Sequence, residues 1–460
     1  MSAAAATFPN WAMLEPFVFR RDDDGSFPDA AKAPIRASGT TSWGATFTIA
    51  FSLADPPLIS RLYAQLPVPG FPDPRRGRPL AILVTHRHLA LLRVATETSA
   101  QVTVQDFFIY NSAADEDPSS SSLKLKALPP CTEPPFDYTR SDHRLPRCRR
   151  PPPPPEEEKH RRLLTIASMG LLCRADEEFA LCGGRAESLP AQPPLQVDAD
   201  SDSSTSPGDQ LGLGGAWNSM RVEILCSDDD DGWQPCGGWQ TNAVIPFRRQ
   251  WLCWVDYYQG ILLCDVFRDP SPSVSFLRLP LDSACTANIR AERFTCLYYR
   301  AVSVVDDGRV LKFVNVTRHD GVPFGTLKPG TGFTITCHTL LMSDGGGMAW
   351  EEDYKVTSDQ LWDANLPEHL PRDILMYPQV DIERPHVVHF LFISQWKYAK
   401  KKMSVVSIDM STMAVESLSP YINGHEGLQT DDADLIRDKS MSPMAFLPCE
   451  FPKYLSRKIE

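Results

Sequence analysis

Short apolar runs separated by turn-forming residues recur along the chain, and the clearest set occupies residues 251–280. An apolar strand leads into a Tyr-Gln-Gly turn at 258–260, and a second apolar strand follows at 261–267. A third run, 276–279, ends at Pro280. Runs of this length bounded by Gly, Pro and Asp are typical of strands joined by tight turns. Residues 251–280 therefore predict a three-stranded meander.

Weaker versions of the same order recur at other places, namely 81–129, 163–182, 298–316, 334–362 and 387–418. Met169-Gly170 marks the expected bend of the second segment, and Asp307-Gly308 supplies a tight turn in the third. This near-repetition predicts one all-β domain of β-propeller type over residues 8–440, with about six blades and residues 11–19 helping to close the ring. Another meander-rich all-β fold is the alternative. Short helices are expected only at 358–366 and 431–437.

Two segments lack a packing pattern and are expected to be disordered insertions. Residues 131–162 are rich in Pro and Arg and include five consecutive prolines at 151–155. Residues 189–213 are rich in Pro, Ser, Asp and Gly. Such sequences remain extended because they contain too few apolar side chains to bury. The basic residues around 144–162 could form a patch for an acidic partner or a nuclear localisation signal, or a solvated loop.

Composition narrows the class of protein. The formal net charge of −12 over 460 residues argues against a nucleic-acid-binding surface. There are 12 cysteines and no C-x-x-C pair, so buried free thiols are expected rather than a disulfide framework. No signal peptide and no apolar run of about 18 residues is evident. The sequence therefore predicts an intracellular, soluble protein of the cytoplasm or nucleus that does not bind a membrane.

Residues 251–280 also contain the candidate site residues, which are Trp251, Trp254, Asp256, Tyr257, Tyr258 and Asp265. The two aspartates flank the turn and could face each other across the hairpin as an acid/base pair, or could bond to backbone N–H groups. The aromatic residues could pack between blades or form a contact surface.

Other groups of residues are weaker candidates for a catalytic or metal site. His86 and His88 could share one face of a strand as a metal pair, although no third ligand is identifiable and an exposed turn is the alternative. His386 and His389 would lie on opposite faces of a strand. No phosphate-binding glycine loop, nucleophile elbow or zinc-protease motif occurs. Neither a cofactor nor a metal is expected, and no catalytic residue can be assigned.

The motif of residues 251–280 resembles a plant family, greatly expanded in grasses, known as domain of unknown function 1618. The matching elements are 254–258, 260–266, 279–280, 310–316, 404–410 and 10–14. The resemblance implies no reaction, cofactor or catalytic residue. The hairpins are also similar to the propeller-like domains that follow F-boxes in plant ubiquitin-ligase receptors, although no leucine-rich helical segment precedes the first strand.

The expected function is a non-enzymatic scaffold that binds a protein partner through loops on one propeller face, because loops on a rigid β-frame commonly carry binding. The alternative is a hydrolase or lyase with its site in the central channel. Converging carboxylates or histidines in a deep channel would favour the enzyme. A third possibility is an adaptor that binds a ubiquitin-ligase subunit.

Overall fold

The structure is a computed structural model in which most of the chain folds into β-sheets. It describes residues 8–73, 78–97, 103–114, 124–129, 169–174, 179–186, 195–200, 218–222, 224–225, 239–268, 274–281, 289–343, 347–393, 402–422, 431, 433–435 and 445–456.

The chain begins with four strands that belong to one sheet: β1 (Ala12–Arg20), β2 (Ile35–Thr40), β3 (Thr46–Ser52) and β4 (Ile59–Gln65). The strands of blade 1 are β5 (Leu80–His86), β6 (Leu89–Glu97), β7 (Thr103–Asn111) and β8 (Leu125–Ala127). Those of blade 2 are β9 (Met169–Cys173), β10 (Phe179–Ala186), β11 (Leu195–Asp200) and β12 (Asn218–Val222).

Blade 3 contains β13 (Ile224–Leu225), β14 (Ala243–Phe247), β15 (Trp251–Asp256), β16 (Gly260–Asp265) and β17 (Val274–Arg278). Helix α1 (Ile289–Tyr299) leads to blade 4, with β18 (Arg300–Val305), β19 (Val310–Arg318), β20 (Phe333–Met342) and β21 (Met348–Thr357). After α2 (Ser358–Ala364), blade 5 contains β22 (Leu375–Val380), β23 (Val387–Ile393), β24 (Met403–Asp409) and β25 (Ala414–Ile422). Strand β26 (Leu447–Cys449) and helix α3 (Pro452–Ser456) follow.

Each of the five blades contains four consecutive strands in meander order, and β13 adds a parallel pair at the edge of blade 3. A sixth sheet has the order β2-β3-β4-β1-β26 and joins strands from both ends of the described chain. We call it the closing sheet. The β-propeller-like fold is therefore confirmed, with five regular blades rather than the expected six and a closing sheet of different topology.

The first strands of neighbouring blades contact one another in the series β5, β9, β14, β18 and β22, and β1 and β26 contact β5. These strands therefore surround the axis of the ring. Because every blade is a meander, the turns between first and second strands lie on one face, which we call the lower face. The turns between second and third strands and the connections between blades lie on the upper face.

Core packing explains why the strands near the axis are apolar on both sides. Trp254, Leu252 and Leu262 of blade 3 pack against Leu172 and Cys182 of blade 2. The alternate residues of the same strands face blade 4 and include Cys253, Val255, Ile261 and Leu263. A sheet that is buried on both faces reads as a continuous apolar run, as Trp251–Val255 does.

Two expectations about blade 2 were wrong. Met169-Gly170 begins β9 instead of forming a bend, and a Cβ on Gly170 would lie 2.5 Å from Val244 of β14. That glycine therefore allows close approach of two first strands. Within the expected insertion 189–213, Leu195–Asp200 forms β11 between β10 and β12. Its alternating apolar and polar residues fit a strand, and the flanking Asp, Ser and Pro residues obscured that pattern.

The helices also differ in part from expectation. Helix α2 begins as the sequence predicts, with a capping box between Thr357 and Gln360. Helix α1 was not predicted, because Tyr298 and Tyr299 were assigned to a strand that begins at Arg300. Beyond the expected boundary at residue 440, β26 pairs with β1.

The cysteines that the structure describes are buried free thiols, as the sequence predicted for Cys173, Cys182, Cys253 and Cys264. Burial raises the pKa of Cys264 to about 12 and that of Cys253 further. In the described part of the chain no helix is long and apolar enough to cross a membrane. The expected insertion 131–162 lies outside the described residues.

Candidate functional site

Asp256 lies at the upper end of β15, where its buried carboxylate bonds to four groups. The backbone N–H of Tyr258 donates to Oδ1 at 2.9 Å, and the backbone N–H of Gln240 donates to Oδ2 at 2.9 Å. The side-chain amide of Gln259 donates at 2.9 Å and the Arg293 guanidinium at 3.2 Å. Asp256 thus fastens the β15–β16 turn to α1 and to the segment before β14.

The tyrosines of this turn extend the same network. Arg293 of α1 lies over the Tyr258 ring, 4.9 Å from its centroid, while it pairs with Asp256. The backbone N–H of Tyr257 donates to Asn242 at 2.8 Å, and its carbonyl accepts from Arg300 at 2.6 Å. Burial raises the pKa of Tyr257 to about 12. These contacts hold the turn in place and leave the Asp256 carboxylate inaccessible to a substrate.

The aromatic candidates do not form one surface. Trp254 is fully buried against blade 2, whereas Trp251 is partly buried on the side that faces blade 4. The Trp251 ring lies 5.7 Å from the ring of Phe247. Trp254 therefore has no exposed side chain through which a partner could bind.

Asp265 lies far from Asp256, contrary to the expected pairing across the hairpin. In the register of this hairpin Asp256 faces Gly260, and Asp265 faces Trp251 at the lower end. Five strand positions separate the two aspartates, which corresponds to about 17 Å. An acid/base pair made of these carboxylates is excluded by that register.

A pair of exposed aromatic side chains lies on the upper face, at a position that sequence reasoning missed. Phe294 of α1 is 67% exposed, and Phe324 of the β19–β20 loop is 43% exposed. Both pack on the buried Tyr298, with ring centroids at 6.2 Å and 4.8 Å. Tyr377 of β22 lies against the other side of Tyr298, at 5.4 Å. We call Phe294 and Phe324 the aromatic patch.

A Ser-His-Asp arrangement occurs inside blade 5. The Nδ1 atom of His389 lies 2.8 Å from the Ser407 hydroxyl, and its Nε2 atom lies 3.3 Å from Oδ2 of Asp381. Ser417 donates to the Ser407 oxygen at 2.9 Å. Ser407 and His389 are buried, so no substrate reaches the hydroxyl. The arrangement joins the strands β23, β24 and β25 by polar contacts, and no catalytic role follows from it.

His86 and His88 do not form a metal pair. The backbone N–H of Cys173 donates to Nδ1 of His86 at 2.8 Å, and His88 is buried with its ring 5.6 Å from that of Tyr454. Strand β5 ends at His86, and Arg87, which has a positive φ of 52°, begins the turn that contains His88, so the two histidines do not share one face of a strand. Among the described residues no group of three potential metal ligands converges.

Comparison with known protein families gives one match. Residues 254–389, from β15 to β23, match the model described as protein of unknown function (DUF1618). The matched segment contains Asp256, α1 and the aromatic patch. The resemblance expected from the sequence is thus supported for this segment, whereas the elements at 10–14 and 404–410 lie outside it. A search of curated proteins finds no match.

Two solved structures show weak similarity to the chain. The hemagglutinin-neuraminidase of parainfluenza virus 5 is 8% identical, with a TM-score of 0.27; the alignment covers 89% of this chain and 94% of that one. The tail fiber of Staphylococcus aureus phage P68 is 9% identical, with a TM-score of 0.17 and coverages of 84% and 83%. Similarity at this level gives no indication of function.

Proposed function

We propose that the protein is a non-enzymatic interaction scaffold that binds a partner protein through the upper face of its propeller. The observation that carries the proposal is the aromatic patch. Exposed aromatic side chains that rest on a rigid support bury a large area at little entropic cost, and such residues dominate the energetics of protein interfaces.

The support beneath the patch is well fixed. Tyr298 is buried between the patch and Tyr377 of the first strand of blade 5. Helix α1 is also anchored by the bond from Arg293 to Asp256. The Asp256 network thus contributes to binding indirectly, because it positions the helix that presents Phe294.

The family match covers this whole region. We also propose that the complete chain belongs to that family and has the plant origin that the resemblance implies. An intracellular location is proposed as well.

The test is affinity purification of the tagged protein from its own tissue, followed by mass spectrometry. The tagged Phe294→Ser/Phe324→Ser double variant is compared with wild type and with Leu418→Ser, which changes another exposed apolar residue on the outer strand of blade 5. We expect a partner that is recovered with wild type and Leu418→Ser and lost with the double variant.

A partner recovered equally with all three proteins would contradict the role of the patch. Direct titration of the purified partner against the same three proteins, with equal affinities, would confirm that contradiction. If the recovered partner is a ubiquitin-ligase subunit, the scaffold acts as a ligase adaptor.

A further inference from the structure

The lower face of the ring contains a small pocket that lies where the central axis emerges. Its charged and polar lining residues include His86, Arg87, Arg248, Arg249, Asp307 and Lys453. They come from blade 1, blade 3, blade 4 and α3. Because blades 1 and 3 are not neighbours, their first turns can meet only at the axis. We call this site the pore mouth.

Helix α3 crosses the pore mouth and leaves only a compact opening. The Arg87 guanidinium donates to the Tyr454 hydroxyl at 3.1 Å, which ties the helix to blade 1. On the other side the Lys453 ammonium lies 3.4 Å from Asp307 of blade 4. A ligand at this site must therefore be small.

Positive charge dominates the pore mouth, although the chain as a whole carries −12. The acidic residues here, Asp307 and Glu450, both pair with Lys453, at 3.4 and 2.7 Å. In the described part of the chain no carboxylate pairs with Arg248 or Arg249. The Arg248 guanidinium donates to the Arg309 carbonyl through Nε at 3.1 Å and lies 5.3 Å from the centroid of the Phe247 ring. No described residue accepts a hydrogen bond from its terminal nitrogens, which are therefore available to a ligand.

The backbone at these arginines is unusual. Arg87, Arg248 and Arg249 have φ values of 52°, 50° and 59°. Residues other than glycine adopt this left-handed region infrequently, since the Cβ atom crowds the following carbonyl. Glycine or asparagine would adopt these φ values more readily, so the turn geometry does not explain why arginines occupy these positions.

His86 adds a neutral donor to the same site. Its Nδ1 accepts the Cys173 N–H, so the proton of the neutral ring is on Nε2. Burial, together with the positive charges of Arg87, Arg249 and Lys453, lowers the pKa of His86 to about 3. The neutral ring therefore has an Nε2 proton that it can donate to a ligand, and it does not titrate near neutral pH.

We propose that the pore mouth binds a small phosphate-bearing molecule, with the guanidinium groups of Arg248 and Arg249 as its principal contacts. The planar donors of arginine match the oxygens of phosphate and bind them in pairs. The site lies on the face opposite the aromatic patch, so the proposal is independent of the scaffold function.

The test is isothermal titration calorimetry of the full chain with pyrophosphate, at constant ionic strength, with inorganic phosphate as a second probe. We expect wild type to bind pyrophosphate with a Kd on the order of 0.1–1 mM. Arg248→Gln and Arg249→Gln should each weaken binding about tenfold, because each removes a charge-assisted contact. Asp307→Asn should strengthen binding severalfold, since it removes a competing negative charge.

The matched control is Arg309→Gln, which removes an exposed arginine from the neighbouring turn, where it pairs with Asp306 outside the pocket lining. Its Kd should stay within about twofold of wild type. Thermal melts of every variant verify that it is folded. The absence of saturable binding by wild type would overturn the proposal, and so would equal affinities of wild type and Arg248→Gln/Arg249→Gln.

Discussion

Blade 3 ends in a polar turn on each face, and the two turns use their charged side chains in opposite ways. At the upper end, Asp256 accepts four hydrogen bonds, one of them from the largely buried Arg293. At the lower end, Arg248 and Arg249 are exposed and have no carboxylate partner among the described residues. The upper turn therefore uses its charge for the fold, whereas the lower turn keeps its charge available for a ligand.

The two turns also differ in whether they lie inside the segment that matches the family model. The family match begins at residue 254 and so includes the upper turn but not the lower one. The residues that bond to Asp256 lie within one stretch of the chain, 240–293. The pore mouth instead gathers side chains of blades 1, 3 and 4 at the axis, so it becomes visible only in the folded structure.

The largest effect should come from the core beside the upper turn. Trp254→Ala removes a fully buried indole that packs on Leu172 and Cys182 of the neighbouring blade. We expect the free energy of unfolding to fall by about 3–5 kcal/mol, measured by chemical denaturation. Trp251→Ala, which truncates a partly buried ring, should cost about 1–2 kcal/mol. Nearly unchanged stability of Trp254→Ala would mean that the indole is exposed for binding.

The Asp256 network should give the next largest effect. Asp256→Asn leaves Arg293 without its carboxylate and places an amide donor near the N–H groups that now bond to Oδ1 and Oδ2. We expect a loss of about 2–4 kcal/mol in the free energy of unfolding. Asp265→Asn is the matched control, because this residue is at the opposite end of the hairpin and is only partly buried, and it should change stability by less than about 0.5 kcal/mol. Equal losses in the two variants would show that the upper turn is not specially fastened.

The pore mouth should show a pH dependence that comes from His86. The folded-state pKa of His86, about 3, is below its unfolded value of about 6.5. Between these values the unfolded chain binds more protons, so stability falls as the pH decreases from about 6.5 towards 3. From pH 7 to pH 5 this contribution is about 2 kcal/mol.

The variant His86→Asn keeps an acceptor for the Cys173 N–H and removes the titration. Urea denaturation at both pH values should show that wild type loses about 2 kcal/mol more than His86→Asn over this interval. Identical losses would indicate that the His86 ring can be protonated in the folded protein.

Local sequence patterns predicted the strands well where a turn signal stood beside an apolar run. The Asp307-Gly308 turn was predicted from its dipeptide, and its φ values of 51° and 85° confirm it. The contacts of Asp256 and the composition of the pore mouth could not be predicted in this way. Arg293 contacts Asp256 through a helix that the sequence did not reveal, and Asp265 was placed opposite Asp256 because the register was unknown. The pore mouth depends on contacts between blades that are distant in sequence, which no local pattern records.

The smallest predicted effect concerns the backbone at Arg249. It distinguishes a side chain that stabilises the turn from one that binds the ligand. Arg249 has a φ of 59°, so Arg249→Gly stabilises the folded state by about 1–2 kcal/mol because it removes the crowding of the Cβ atom. The same substitution lowers the free energy of the unfolded chain by about 0.5–1 kcal/mol because glycine has more conformational freedom. We expect a gain of about 0.5 kcal/mol in the free energy of unfolding, measured by denaturation. The neighbouring Gln250→Gly has no positive φ to relieve and should lose about 0.5–1 kcal/mol. If Arg249→Gly is instead destabilised by more than about 1 kcal/mol, the arginine holds the turn. A stabilised variant that no longer binds pyrophosphate would show that the side chain serves the ligand at the expense of the fold.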